Sequence, residues 1–250
     1  MTVKTCIITG FGINSDRDLA GAFETAGSET ELIHINDLIS NPERLDDFQI
    51  LGFPGGFSFG DHLGSGLVFA NLFRKNLKNS LDKFIADGKL IIGICNGFQV
   101  LVKMGVLPNL SGSWSPEVTL VHNDSGTFID DWVTLEKKKG SNCVWLKGID
   151  KIELPIRHGE GRFIAASESI LETITNNNLD VLKYSGWNPN GSTADIAGIT
   201  DKTGRILGLM PHPEAFVEAE NHPLWSREKI DHGFGLDIIK NGVEFIKNGA

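Results

Sequence analysis

The run Leu90-Ile91-Ile92-Gly93-Ile94-Cys95-Asn96-Gly97-Phe98-Gln99 is a strand that turns directly into a helix. Leu90–Ile94 is apolar on both faces, as a central parallel strand must be when helices cover both sides of the sheet. The helix runs from about Gly97 to Met104 and is closed by Gly105 and Pro108. A nucleophile stands at the join, with a glycine two positions to each side: the thiol version of the Gly-x-Ser-x-Gly elbow. So tight a turn brings backbone against backbone, and a Cβ at Gly93 or Gly97 would clash. Cys95, at the apex, is pushed out at the carboxyl end of the sheet, where open α/β folds bind ligands. It also stands at a helix N-terminus, whose partial positive charge favours thiolate over thiol. The Asn96 N–H would point at the oxyanion of a tetrahedral intermediate.

On the N-terminal side, Thr5–Thr9 reads as a strand ended by Gly10 and Gly12. Ser15 and Asp18 fit a capping box, and Leu19, Ala22, Phe23 and Ala26 repeat at helical spacing before Gly27. Strands are expected at Leu32–Ile35 and Phe48–Phe53, the latter ending in Pro54-Gly55-Gly56. Val68, Phe69, Leu72, Phe73, Leu77, Leu81, Phe84 and Ile85 trace one face of a long helix. Beyond the elbow, Val118–Val121 and Trp132–Leu135 flank the turn-forming Asn123-Asp124-Ser125-Gly126. Ile152–Ile156, Phe163–Ala166, Val181–Tyr184 and Ala194–Thr200 follow with one helical stretch, Glu168–Thr175, which predicts an antiparallel extension of the sheet. Ile206–Met210 is again a buried strand, and Phe234, Ile238, Ile239, Val243 and Ile246 predict a closing helix. The class is α/β: a flavodoxin-like, doubly wound, mostly parallel sheet with an antiparallel extension. No linker divides residues 1–250, so one domain is expected.

Composition excludes several functions. With 23 basic and 32 acidic residues in 250, the net charge is −9, which argues against non-specific binding to nucleic acid or an anionic membrane. No apolar run approaches the ~20 residues of a membrane span. Three cysteines without a Cys-x-x-Cys pair, and an N-terminus without signal-peptide features, predict a cytoplasmic protein with free thiols. Gly10-Phe11-Gly12-Ile13-Asn14-Ser15 has Ser15 where a dinucleotide fingerprint needs its third glycine, and no acidic residue closes the second strand. There is no P-loop, and the histidines lack metal-ligand spacing, so no metal or cofactor is expected on this chain.

A cysteine nucleophile needs a base, usually a histidine far off in sequence. Of seven histidines, His212 stands out, because Pro211-His212-Pro213-Glu214 follows the buried strand Ile206–Met210 and so also emerges at the carboxyl end of the sheet. Glu214 is close enough to orient the imidazole and stabilise its charged form. The glycine-rich loop from Phe53 to Asp61 can offer a second oxyanion donor, the N–H of Gly55 or Gly56, and a substrate wall that includes Phe57 and Gly60.

Gly-Ile-Cys-Asn-Gly-Phe-Gln, the Pro-Gly-Gly loop before it and Pro-His-Pro-Glu near the end resemble class I glutamine amidotransferases. Three further stretches narrow the resemblance to the glutaminase subunits of phosphoribosylformylglycinamidine synthases. These are Pro54–Asp61, Arg157-His158-Gly159-Glu160-Gly161-Arg162-Phe163, and Asn190-Gly191-Ser192 followed by Asp195-Ile196-Ala197-Gly198. The resemblance spans nearly the whole chain, in order. It implies Cys95 as nucleophile, His212 as general base and acid, Glu214 as its orienting group, and Gly55, Gly56 and Asn96 as oxyanion-hole donors. It sets Gln99 by a pocket for L-glutamine and gives His158–Phe163 to the pocket or to a partner interface. It also implies a larger synthetase partner, with or without a third small subunit, that carries ATP and Mg. Two features depart from the pattern: Ala215 stands where an Arg often follows Pro-His-Pro-Glu, and Phe216–Gly235 is longer than in compact bacterial subunits. Two other readings share the elbow or the fold: a γ-glutamyl or other thiol hydrolase acting alone, and a catalytically silent flavodoxin-like regulatory subunit.

Overall fold

The structure is a computed structural model and describes residues 2–60, 62 and 64–249. The first part of the chain alternates strand and helix: β1 Lys4–Thr9, α1 Asp16–Thr25, β2 Glu29–His34, α2 Ile35–Ser40, β3 Ile50–Phe53, α3 Leu67–Ala86, β4 Leu90–Ile94 and α4 Asn96–Met104. A strand-rich middle follows, with β5 Val118–Val121, β6 Ile129–Lys137, β7 Lys151–His158, β8 Arg162–Ala165, α5 Glu168–Asn176, β9 Leu182–Tyr184 and β10 Ile196–Thr200. The chain then returns to the centre through β11 Ile206–Leu209 and closes with α6 Gly235–Lys247.

Among the described residues, nine strands form one sheet in the order β2-β1-β3-β4-β11-β10-β9-β6-β7. The first five are parallel, and from β10 outward every pairing is antiparallel. The expected architecture is therefore present, and β3, β4 and β11, buried at every position, form its centre. The order reverses around β1, the switch point at which ligands bind in open α/β sheets. Loops after β1, β3, β4 and β11 all leave the carboxyl ends of these strands together. No helix among the described residues is long and apolar enough to cross a membrane.

Several local expectations are corrected. β2 begins at Glu29, because an edge strand paired on one side needs no burial of its first residues, and Ile35 opens α2 instead of ending the strand. Ser15 caps α1 by position, but its side chain makes no capping bond; its Oγ lies 3.3 Å from Asn14 Oδ1 instead. The turn at Asn123 forms, with Gly126 N–H donating to Asn123 O at 2.9 Å, yet the strands flanking it part company. β5 pairs with β8 in a separate two-stranded sheet, while β6 pairs with β7 and β9. The long stretch after Ala215 is fastened to β6 by rings: Trp132 meets Phe216 at 5.0 Å and His222 at 4.6 Å, edge-on.

Candidate active site

Cys95 sits between β4 and α4 with φ +51° and ψ −105°, a sparsely populated conformation held by its neighbours on both sides. Its N–H donates to Leu209 O at 2.8 Å, and its carbonyl accepts the Gln99 N–H at 3.0 Å. The glycines behave as the elbow requires. A Cβ on Gly97 would lie 1.9 Å from Phe53 O, and one on Gly93 would lie 2.8 Å from Gly97 O. The thiol reaches Arg157 O at 3.7 Å. The other two thiols are buried and shut off, and burial pushes Cys143 up to about 12 and Cys6 higher still.

β11 runs alongside β4 in register, Gly208 opposite Gly93, so the chain leaving β11 delivers His212 beside Cys95. The His212 N–H donates to Pro155 O at 2.8 Å, which fixes its backbone. Its Nδ1 lies 2.6 Å from Glu214 Oε1, leaving Nε2 buried with no other partner among the described residues. Burial disfavours the imidazolium, but the charges of Glu214 and of the Cys95 sulfur outweigh it and push His212 up to about 10. Arg157 Nη2 approaches both members, 3.3 Å from His212 Nδ1 and 4.0 Å from Glu214 Oε1. Gly55 makes room for the ring, since a Cβ there would stand 2.8 Å from His212 Cε1.

A cavity of about 450 Å³ opens onto this pair, lined by Cys95, His212, Gly56, Phe57, Gln99 and His158 among others. The other residues expected at the site are placed around it. Gly55 packs behind His212, and Gly56 has φ +145° at the bend where a Cβ would strike Asn14 N at 2.8 Å. Asn96 and Glu214 are buried beneath the surface of the cavity. The Asn96 N–H is one of the first N–H groups of α4, which have no partner within the helix, while its side chain braces the site. Asn96 Oδ1 accepts the Ser58 N–H at 3.1 Å, and its Nδ2 donates to Gln99 Oε1 at 2.9 Å. Gln99 Nε2 donates in turn to Glu160 O at 2.7 Å, so both ends of that amide are engaged by the protein. Gly60 is not brought to the cavity; it completes a turn, its N–H donating to Phe57 O at 2.8 Å.

Of His158–Phe163, the stretch that the sequence alone left to pocket or interface, His158, Gly159 and Glu160 line the cavity, as does the preceding Arg157. Asn123 Nδ2 donates to the carbonyls of Thr127 and His158, both at 2.9 Å, so Asn123 Oδ1 faces His158 Nδ1 at 3.1 Å as an acceptor. Nδ1 therefore carries the proton and Nε2 is bare. Gly161 makes this possible, because a Cβ there would come within 2.5 Å of the His158 ring. Asn123 and Arg157 were missed as contributors to the site; the stretch that Arg157 opens was the available signal.

Burial, helped by the charge of His212, lowers His158 to about 4. A histidine lowered in this way binds its proton in the unfolded chain below the ordinary 6.5, but not in the native state until about 4. Stability should therefore fall as pH drops from 6.5 to 4, by on the order of 3 kcal/mol for this group. His158→Asn, which keeps a donor for Asn123, should flatten that part of the curve in urea melts taken across the range. Parallel curves for the two proteins would contradict the assignment.

Residues 2–246 match the family model of the CobB/CobQ-like glutamine amidotransferase domain. The chain is 45% identical over 251 residues to phosphoribosylformylglycinamidine synthase subunit PurQ of Dehalococcoides mccartyi, covering 98% of each. It is 38% identical over 271 residues to the subunit of the same name from Treponema denticola, covering 98% of this chain and 100% of that one. Among solved structures it superposes on a chain of PurLQS from Thermotoga maritima with a TM-score of 0.76 and 31% identity, covering 98% and 100%. A glutamine amidotransferase from the same organism, 15% identical with a TM-score of 0.59, shares the fold. The chain belongs to the CobB/CobQ-like glutamine amidotransferases and, within them, to the family of phosphoribosylformylglycinamidine synthase subunit PurQ.

Proposed function

We propose that the chain hydrolyses L-glutamine to glutamate and ammonia through Cys95, His212 and Glu214, and supplies the ammonia to a synthetase partner. The observation that carries this reading is the pair at the elbow: a strained, cavity-facing Cys95 beside an imidazole whose Nδ1 is held at 2.6 Å by a buried carboxylate. With His212 raised to about 10, the imidazole can take and hold the thiol's proton across the neutral range, and the sulfur attacks. Attack on the glutamine amide carbon forms a tetrahedral oxyanion that the N–H groups of Gly55 or Gly56 and of Asn96 receive. His212 Nε2 then protonates the leaving nitrogen, ammonia departs, and a γ-glutamyl thioester remains. Water, giving its proton to His212, hydrolyses the thioester to glutamate and restores the thiolate.

The partner is the larger synthetase subunit of formylglycinamidine ribonucleotide synthesis, with a third small subunit, an assembly supported by the likeness to the chain of PurLQS. It carries ATP and Mg and activates the amide oxygen of formylglycinamide ribonucleotide, which ammonia displaces. The whole chain acts as one glutaminase domain in this assembly, and a cytoplasmic setting suits its three free thiols.

The test is glutamate release by the reconstituted complex as a function of pH. The wild type should keep kcat/KM up to an alkaline edge set by loss of the His212 proton. Glu214→Gln removes the charge that raises His212, so burial then dominates. That edge should move down by at least about one pH unit, with kcat lowered on the order of 10²-fold or more. An unmoved edge would show that Glu214 does not hold the imidazolium.

A further inference from the structure

Arg157 meets all three members of the Cys95, His212 and Glu214 set. Its backbone O accepts from Cys95 Sγ at 3.7 Å, and its Nη2 stands 3.3 Å from His212 Nδ1 and 4.0 Å from Glu214 Oε1. It arrives on β7, the edge strand of the antiparallel extension, whose Pro155 O also holds the His212 N–H at 2.8 Å. Among the described residues, no carboxylate other than Glu214 comes within 4.0 Å of the guanidinium. Asp130 stands opposite Arg157 on β6, but no ion pair joins them.

The approach at 3.3 Å is not a hydrogen bond. An ionised carboxylate only accepts, so the Nδ1 proton points at Glu214 Oε1, 2.6 Å away. A guanidinium only donates, so Arg157 meets Nδ1 donor to donor, and what it brings is charge. A cation at that distance disfavours a second cation on the ring, whereas Glu214 and the Cys95 sulfur favour one. The other titratable groups around the ring are His158 and three acids of the cavity wall: Asp18 of α1, Asp130 of β6 and Glu160 after β7. From α6, which packs on the turn after His212, Asp237 is engaged by His232 at 2.9 Å. Among the described residues that line the cavity, Arg157 is the one lysine or arginine.

An imidazole held protonated by a buried carboxylate is a good acceptor of the thiol's proton and a reluctant donor of it, yet acylation needs both. When the C–N bond of the tetrahedral intermediate breaks, its electron pair leaves on nitrogen. His212 Nε2–H supplies the proton that makes ammonia, and the oxyanion collapses to the thioester carbonyl. Building on the glutaminase reading, we infer that Arg157 is a positioning residue acting through His212: its guanidinium loosens the proton that Glu214 holds on the ring, so that the departing nitrogen takes it. The Arg157 side chain is 38% exposed, so solvent screens its charge and limits the effect to about half to one pH unit.

The experiment follows kcat and KM of the reconstituted complex against pH for two substrates: glutamine, and the γ-thiomethyl ester of glutamate, whose thiolate leaves without a proton. Arg157→Met removes the charge and leaves the backbone carbonyl in place. Without the cation the imidazole keeps its proton to higher pH, so the alkaline edge for glutamine should move up by about half to one pH unit, opposite to Glu214→Gln. At neutral pH kcat for glutamine should fall roughly 3- to 10-fold with KM nearly unchanged, while the thioester stays within a factor of about two. Arg157→Lys keeps the charge and should recover most of both properties. Arg157→Gln serves as a second uncharged variant, and melting curves report whether each is folded. An unmoved edge, or an equal fall on both substrates, would reduce Arg157 to a structural part of the wall and overturn the proposal. A raised KM for glutamine with kcat unchanged would also overturn it, by giving Arg157 to substrate binding. A wild-type complex that releases no glutamate from glutamine would overturn the glutaminase reading instead.

Discussion

Cys95→Ala is expected to lower glutamine-dependent product formation by at least about 10⁴-fold, because no thioester can form without the sulfur and the remaining groups provide only residual catalysis. The same complex should still make product from added ammonium salts, since the step that consumes ammonia lies on the partner. That pairing of results distinguishes a lost nucleophile from a lost fold. An electrophilic glutamine analogue should label Cys95 in the wild type and spare Cys6 and Cys143, which are buried and held as thiols. Near-normal glutamate release by the variant, or equal labelling of all three cysteines, would remove Cys95 from the chemistry.

Gly97→Val should be the most damaging change that touches no reacting group. On helix propensity alone, replacing a helical glycine is neutral or favourable by a few tenths to ~1 kcal/mol. Here the new Cβ would meet Phe53 O at 1.9 Å and Phe53 C at 2.5 Å, both backbone atoms of the strand beside β4. Neither can yield without moving α4 off the sheet, so a loss of at least about 3 kcal/mol is expected, together with a displaced thiol. Gly21 is the matched control. It also lies in a helix, α1, but a Cβ there meets nothing within 4 Å, so Gly21→Ala should be neutral or stabilising. Denaturant midpoints and glutaminase rates of the two variants check both expectations; a stable, active Gly97→Val protein would mean the elbow is looser than its geometry.

Much of this was readable from residue order. A strand buried on both faces announces itself by composition, and Leu90–Ile94, with Gly93-x-Cys95-x-Gly97 at its end, located both the sheet centre and the tight turn that presents a thiol to the cavity. His212 and Glu214 followed because they too stand after a buried strand. What could not be read depends on contacts between distant segments. Residues in the turn at Asn123–Gly126 satisfy the rules for joining adjacent strands, but nothing local says that Val118–Val121 pairs with Arg162–Ala165 instead. Ser15 has the side chain and spacing of a cap, yet the loop after β3 packs beside it, and the capping bond is not made. Gln99 was expected beside the pocket and does line the cavity; that its amide is also tied to Asn96 and Glu160 is a fact that only the tertiary structure contains.

The position of β11 also sets an order of events in the making of the enzyme. The thiol belongs to the first half of the chain, but its imidazole is synthesised 117 residues later and reaches it only when β11 takes its place between β4 and β10. Until then β4 has an unpaired edge, and Cys95 is an ordinary cysteine without a base. Closure of the sheet and the meeting of Cys95 with His212 are one event, so a chain that has not yet placed β11 holds the thiol without the imidazole and carboxylate beside it.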